Sequence, residues 1–93
     1  MAAYSVRLVA GARRQLQATP DQLAKRIRRA IRELQDEPRP LGAKLLSINR
    51  PQRIWRIRVG DYRILYEIRD EELVVLVIRV GHRGVVYRGI SSG

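Results

Sequence analysis

The sequence has no cysteine and a single histidine. Without thiols there is no disulfide framework and no thiolate metal site, and one histidine cannot hold a zinc ion alone. Phenylalanine is absent too, so a core must rest on aliphatic side chains, Trp55 and a few tyrosines. No apolar run approaches the roughly 18 residues of a membrane span. The amino terminus lacks the basic and then apolar stretches of a secretory signal, so a cytoplasmic protein without membrane attachment is expected. Acidic residues are scarce: 9 against 19 basic ones, for a formal charge of +10 over 93 residues. Charge this one-sided repels itself and favours polyanions such as RNA, DNA or an acidic protein. The length suits one domain, residues 1–93, with one modest core.

What is present is periodic. Residues 3–9 alternate and predict a first strand with Tyr4, Val6 and Leu8 on one face. A short helix is expected over 12–18. Thr19-Pro20-Asp21-Gln22 resembles a helix start, with Thr19 as N-cap and Pro20 in the first helical position. Leu23, Ala24, Ile27, Ala30, Ile31 and Leu34 then follow a 3.6-residue period, and Lys25, Arg26, Arg28, Arg29 and Arg32 fill the other positions. Pro38 and Pro40 end that helix. A second strand is expected over 44–48 and a turn at Asn49 to Gln52. The nearly all-aliphatic stretch from Leu73 to Val80 reads as a central strand buried on both faces.

The segment from Ile54 to Ile68 is the most informative. Two alternating runs flank Gly60-Asp61, a pair that fits a two-residue type II′ hairpin turn because glycine accepts positive φ cheaply. In that register Val59 faces Tyr62, Arg58 faces Arg63 and Ile57 faces Ile64. Alternation puts Arg56, Arg58 and Arg63 on one face and Trp55, Ile57, Ile64 and Tyr66 on the other. The helices must cover the apolar face, which leaves the arginine face open to solvent or a ligand. Like charges opposite each other cost stability. A chain that keeps such a pair points to an anion, with RNA phosphate first among candidates, although a single exposed arginine is ordinarily just solvated.

A three-residue turn at Asp70 to Glu72 would set Arg79 opposite Arg63 and add a fourth cation. Arg83 and Tyr87 follow the central strand and can fold over its end. Guanidinium groups grip phosphate bidentately, and a tyrosine can stack on a base or move a proton. His82 lies in a glycine-bounded turn. Glu67 shares the arginine face by parity but sits roughly 13 Å along the strand from Arg63. It suits an ion pair with Arg56 or Arg69 better than a role as base. The whole predicts an α+β domain, two N-terminal helices packed on one face of a mostly antiparallel sheet.

Three segments together, Trp55 to Ile68, Leu73 to Arg83 and Val86 to Arg88, resemble the RelE branch of the RelE/ParE toxin superfamily, over nearly the whole chain. The resemblance implies a small RelE-like domain and a toxin of a type II toxin–antitoxin pair. It implies a metal-independent and cofactor-free endoribonuclease that enters the ribosomal A site and cuts mRNA through the ribose 2′-OH, inhibiting translation. Carried onto this sequence, the family's catalytic set falls on Arg56, Arg58, Arg63, Arg83 and Tyr87, with His82 and Arg79 as accessory candidates. The implied partners are a cognate acidic antitoxin, the ribosome with its mRNA and ribosomal RNA, and operator DNA only through the antitoxin complex. The first two positions are lysines in the best-known RelE pattern and arginines here. A lysine can act as a base and an arginine effectively cannot, which hands proton transfer to Tyr87, His82 or the ribosomal RNA. Two other functions share the same fold: a ParE-like poison of DNA gyrase, and a non-catalytic module that binds antitoxin or nucleic acid.

Overall fold

The computed structural model describes residues 3–46 and 53–88. Its elements run β1 (Ser5–Leu8), α1 (Ala10–Gln17), α2 (Asp21–Glu33), β2 (Lys44–Leu46), β3 (Ile54–Val59), β4 (Tyr62–Arg69) and β5 (Val74–His82). The strands form one sheet in the order β1-β5-β4-β3-β2. Neighbours pair antiparallel except β1, which joins β5 in parallel with Ser5 opposite Val74 and Leu8 opposite Val77. A parallel pair needs a crossover, but the two helices follow β1 and return through β2, β3 and β4 before β5 arrives at its side. The expected α+β architecture, with helices on one face of a mostly antiparallel sheet, is the one observed.

The helices bury a shared stripe. Ala12 and Leu16 of α1 and Ala24, Ile27 and Ile31 of α2 meet Ile57, Ile64, Tyr66, Val75, Val77 and Val80 from the sheet. Tyr66 is fully buried, and its hydroxyl donates to the Pro38 carbonyl at 2.8 Å. Burial pushes the Tyr66 phenol up to about 12. That hydrogen bond pins the link after α2 to the centre of the sheet.

The start of α2 differs from expectation. Pro20, extended at φ −54° and ψ 143°, occupies the cap position, and Asp21 opens the helix where a carboxylate suits the helix dipole. Thr19 is buried, and its hydroxyl donates back to the Gln15 carbonyl at 2.8 Å. The two helices follow so closely that Thr19 closes the first instead of capping the second. The first helix also starts earlier than expected, at Ala10. The second strand covers 44–46; the rest of its expected span and the turn at Asn49 to Gln52 lie outside the described residues.

The hairpin register is the expected one: Val59 faces Tyr62, Arg58 faces Arg63 and Ile57 faces Ile64. Gly60 has φ +59°, as the turn demands, while Asp61 is not among the positive-φ residues. The next turn is not the expected one. It spans four residues, Asp70 to Leu73, with Leu73 itself at φ 56°. A bulge between Leu65 and Tyr66 then adds Ile78 on the β5 side, so Tyr66 faces Val77 while Leu65 faces Arg79. Arg63 therefore faces Gly81, not Arg79. The longer turn alone would have rotated Arg79 into the core, and the bulge restores it to the arginine face. Burial of β5 is also one-sided: Val75, Val77 and Val80 are buried against the helices, while Val74, Leu76 and Ile78 are only partly covered.

Candidate active site

The sheet face turned away from the helices is not uniformly open. Ile54, Leu65 and Val86 form a second, smaller apolar cluster on it, with Leu46 and Ile78 against its edge. Val86 belongs to the stretch after β5, which folds back across this face. The return packs Val86 closely on Gly81, where a Cβ would lie 3.4 Å from the Val86 Cβ, an ordinary van der Waals contact. The amide of Arg83 donates to the Asp61 carbonyl at 2.8 Å, tying the loop after β5 to the hairpin turn. One end of the sheet thus gathers residues that lie far apart in sequence.

Arg58 and Arg63 stand opposite each other at that end. Arg58 is exposed. The Arg63 guanidinium turns toward the hairpin, donating to the carbonyls of Gly60 at 3.2 Å and Tyr62 at 3.0 Å. Arg83 is exposed beside the turn, and Tyr87 keeps about a third of its surface open, 37%. No carboxylate neutralises Arg58, Arg63 or Arg83 among the described residues, where the two ion pairs, Arg39–Asp70 and Arg69–Glu67, lie at the far end of the sheet. Unpaired guanidinium groups at the mouth of a small domain make a site ready for phosphate oxygens.

Arg56 departs from the open face expected of it. It shares the face, opposite Leu65, but is only 9% exposed, and its Nε is buried without a hydrogen-bond partner among the described residues. The cause is its position between the apolar cluster and the edge strand, which pairs Lys44 directly beside it. It lines a cleft of about 440 Å³ together with Arg58, Glu33, Pro40 and Leu41. His82 also sits apart from the arginines. It faces Tyr62 across the strands and meets that ring edge-on at 5.9 Å, on the helix side of the sheet. Its Nδ1 accepts from the Gly84 amide at 3.2 Å, which assigns the proton of the neutral ring to Nε2. Glu67 pairs with Arg69 at 3.2 Å, one of its two expected partners. Arg79 donates to the carbonyls of Val86, at 3.1 Å, and Arg88.

Sequence reasoning missed the opposite end of the sheet. There Asp70 accepts from Tyr4 at 2.6 Å and from Arg39 at 2.8 Å, while Arg39 lies over the Trp55 ring at 5.3 Å. The Arg39 and Tyr4 hydrogen bonds hold the Asp70 carboxyl below the usual carboxylate range, and Asp70 in return raises the Tyr4 phenol. These partners are 31 and 66 residues apart, and no local spacing announces them. Among the described residues no cluster of His, Cys, Asp and Glu could hold a metal ion, and no helix is long and apolar enough to cross a membrane.

The architecture and sequence have clear relatives. The family model for the ParE toxin of the type II toxin–antitoxin system parDE matches residues 6–87. Toxin RelG of Mycobacterium tuberculosis is 37% identical over 90 residues, covering 91% of this chain and 97% of that protein. The toxin of the toxin–antitoxin complex RelBE2 from Mycobacterium tuberculosis superposes with a TM-score of 0.74 at 32% identity, over 87% of this chain and 99% of that one. The archaeal RelE–RelB complex from Pyrococcus horikoshii gives a TM-score of 0.77 over 90% of this chain and 99% of that one; at 24% identity this likeness concerns the fold alone. The chain belongs to the RelE/ParE superfamily, the toxins of type II toxin–antitoxin systems.

Proposed function

We propose that this toxin is a ribosome-dependent, metal-independent mRNA endonuclease that cuts in the A site and so stops translation. The observation that supports the reading is that Arg58 faces Arg63 across the hairpin and Arg83 is tied to the hairpin turn, with no carboxylate paired to these arginines among the described residues. The substrate supplies its own nucleophile. The 2′-hydroxyl attacks the neighbouring phosphorus as its proton passes to the Tyr87 oxygen, the bond from phosphorus to the 5′-oxygen breaks, the Tyr87 hydroxyl gives its own proton to that oxygen, and a 2′,3′-cyclic phosphate remains. Arg63 and Arg83 bind the non-bridging oxygens as negative charge builds on them, the kind of pre-set electrostatic help that lowers such a barrier. Arg58 orients the phosphate and cannot serve as a base. Tyr87 is the protein's proton carrier, because it is exposed and His82 faces the other side of the sheet. Arg56 lines the same cleft as Arg58.

The partner that silences the toxin is an acidic antitoxin. Several of the similar structures are named as complexes with RelB-type antitoxins. On this chain exposed Leu41 lines the cleft that holds Arg56 and Arg58, a mixture of apolar surface and positive charge that suits an acidic amphipathic segment. Operator DNA is reached only through that complex.

The name of the matching family favours a second reading, a gyrase poison that needs no RNA chemistry. Primer extension on translated mRNA after induction separates the two. Cuts within A-site codons support the nuclease. Intact messages together with gyrase-linked DNA breaks would move the second reading ahead.

A further inference from the structure

Arg79 shares a face with Arg63 but does not stand ready for phosphate. Its guanidinium is spent on the main chain, donating to the carbonyls of Val86 and Arg88, the two residues that flank Tyr87. A third tie holds the same stretch, since Val86 is buried against Gly81. The amides of Val85 and Val86 donate to the His82 carbonyl at 2.9 Å each, and that of Arg88 to Val85 at 3.0 Å. Tyr87 itself is exposed, whereas its neighbour Val86 is buried. The backbone on both sides of it is fixed while its side chain stays free to meet a ligand.

We infer that Arg79 is a positioning residue for Tyr87: one guanidinium clamps the carbonyls on either side and sets where the phenol stands. This deepens the nuclease reading and rests on it. Both contacts come from the one Nη1 nitrogen, whose two hydrogens are fixed in the guanidinium plane, whereas those of a lysine ammonium rotate. Hydrogen bonds from a charged donor are also the stronger kind. The β5 bulge belongs to the same device, because only the extra residue turns Arg79 toward this face.

The test is a double-mutant cycle read by single-turnover cleavage of mRNA on programmed ribosomes, with Arg79→Ala, Tyr87→Phe and both together. If Arg79 acts through Tyr87, Arg79→Ala slows cleavage about 10–100-fold, and the double variant is no slower than Tyr87→Phe alone, as for residues that work as a unit. Arg79→Lys recovers part of the rate. Ribosome binding by Arg79→Ala keeps the parental salt slope, because no phosphate contact is lost; a phosphate ligand would lower that slope by about 0.7–0.9. A readout independent of catalysis accompanies these. Limited trypsin digestion after Arg83 or Arg88 accelerates by about tenfold or more in Arg79→Ala, as local opening becomes easier, while Tm stays near the parental value. Multiplying effects in the cycle, a reduced salt slope, or unchanged digestion would each overturn the clamp. Failure of the parental protein to cut mRNA would overturn the nuclease reading and the catalytic meaning of the clamp with it, and in that case the digestion alone reports whether Arg79 holds the segment.

Discussion

Arg58 and Arg63 face each other directly across the β3–β4 hairpin, and Arg63 relieves the repulsion by turning its guanidinium onto the carbonyls of Gly60 and Tyr62. The positive charge is held in place but not neutralised. An arriving phosphate gains both cations, and the protein gives up only hydrogen bonds to neutral acceptors.

Removing Arg63 should therefore separate activity from stability. In Arg63→Ala a like-charge pair is relieved and two carbonyl contacts are lost, and these nearly cancel, to within about 0.5 kcal/mol. Growth arrest on induction disappears while Tm stays close to the parental value. Arg83→Ala and Tyr87→Phe reduce toxicity with the fold intact, and Arg58→Lys remains toxic. Thermal melts of each purified variant beside its growth curve are the check.

Trp55 contributes less than full burial would imply. It packs against the helix-side core, on the face the sequence suggests, but is only half-buried there, with Arg39 stacked on it. Trp55→Ala should cost about 2 kcal/mol, below the 3–5 kcal/mol typical of a fully buried tryptophan. Denaturant titration gives the value, and Arg39→Ala should redden the tryptophan emission by admitting water.

Alkali should loosen the fold through Tyr66. Its phenol is pushed up to about 12 in the folded protein, against 10 for a free tyrosine. A group whose pKa rises on folding lends stability that is complete below its unfolded value and lost as pH climbs through the folded one. Stability should therefore fall between about pH 10 and 12, by an amount on the order of 2 kcal/mol. Tyr66→Phe gives up the hydrogen bond to Pro38, about 1 kcal/mol at neutral pH, and flattens this alkaline decline. A variant with an unaltered decline would assign the effect elsewhere, with Tyr4 the next candidate because Asp70 raises it too.

Leu73 offers a stabilising change. It holds φ 56° in the turn before β5 with about half its surface exposed, 49%. A leucine in the left-handed region is strained, and asparagine tolerates that region better. Leu73→Asn should raise stability by about 0.5–1 kcal/mol, visible as a higher midpoint in urea at constant slope.

The contrast between the two turns explains what could be read from sequence. A two-residue loop leaves one register, so the Arg58–Arg63 pair and the two faces of the hairpin follow from Gly60-Asp61 alone. The second turn is one residue longer than Asp70-Glu71-Glu72 suggests, because Leu73 takes a conformation rarely adopted by leucine. The bulge adds a further residue. The two shifts change the partner of Arg79 from Arg63 to Leu65 yet preserve its face, so its side was legible and its neighbour was not. Thr19 misled for a different reason: its pattern fits a cap, but the preceding helix ends too close and claims the hydroxyl. The burial of Arg56 follows from its place between Leu65 and the edge strand that sets Lys44 beside it, a long-range pairing that alternation cannot report. The Tyr4–Asp70–Arg39 network is hidden in the same way.

The central claim is that the arginine end of the sheet cuts mRNA, and single-turnover cleavage on ribosomes with a defined A-site codon tests it most directly. The parental toxin should cut within that codon, and Arg63→Ala should be slower by about 10²–10³-fold while remaining folded and ribosome-bound. Equal cleavage by both proteins, or no cleavage by either on ribosomes that they demonstrably occupy, would contradict it.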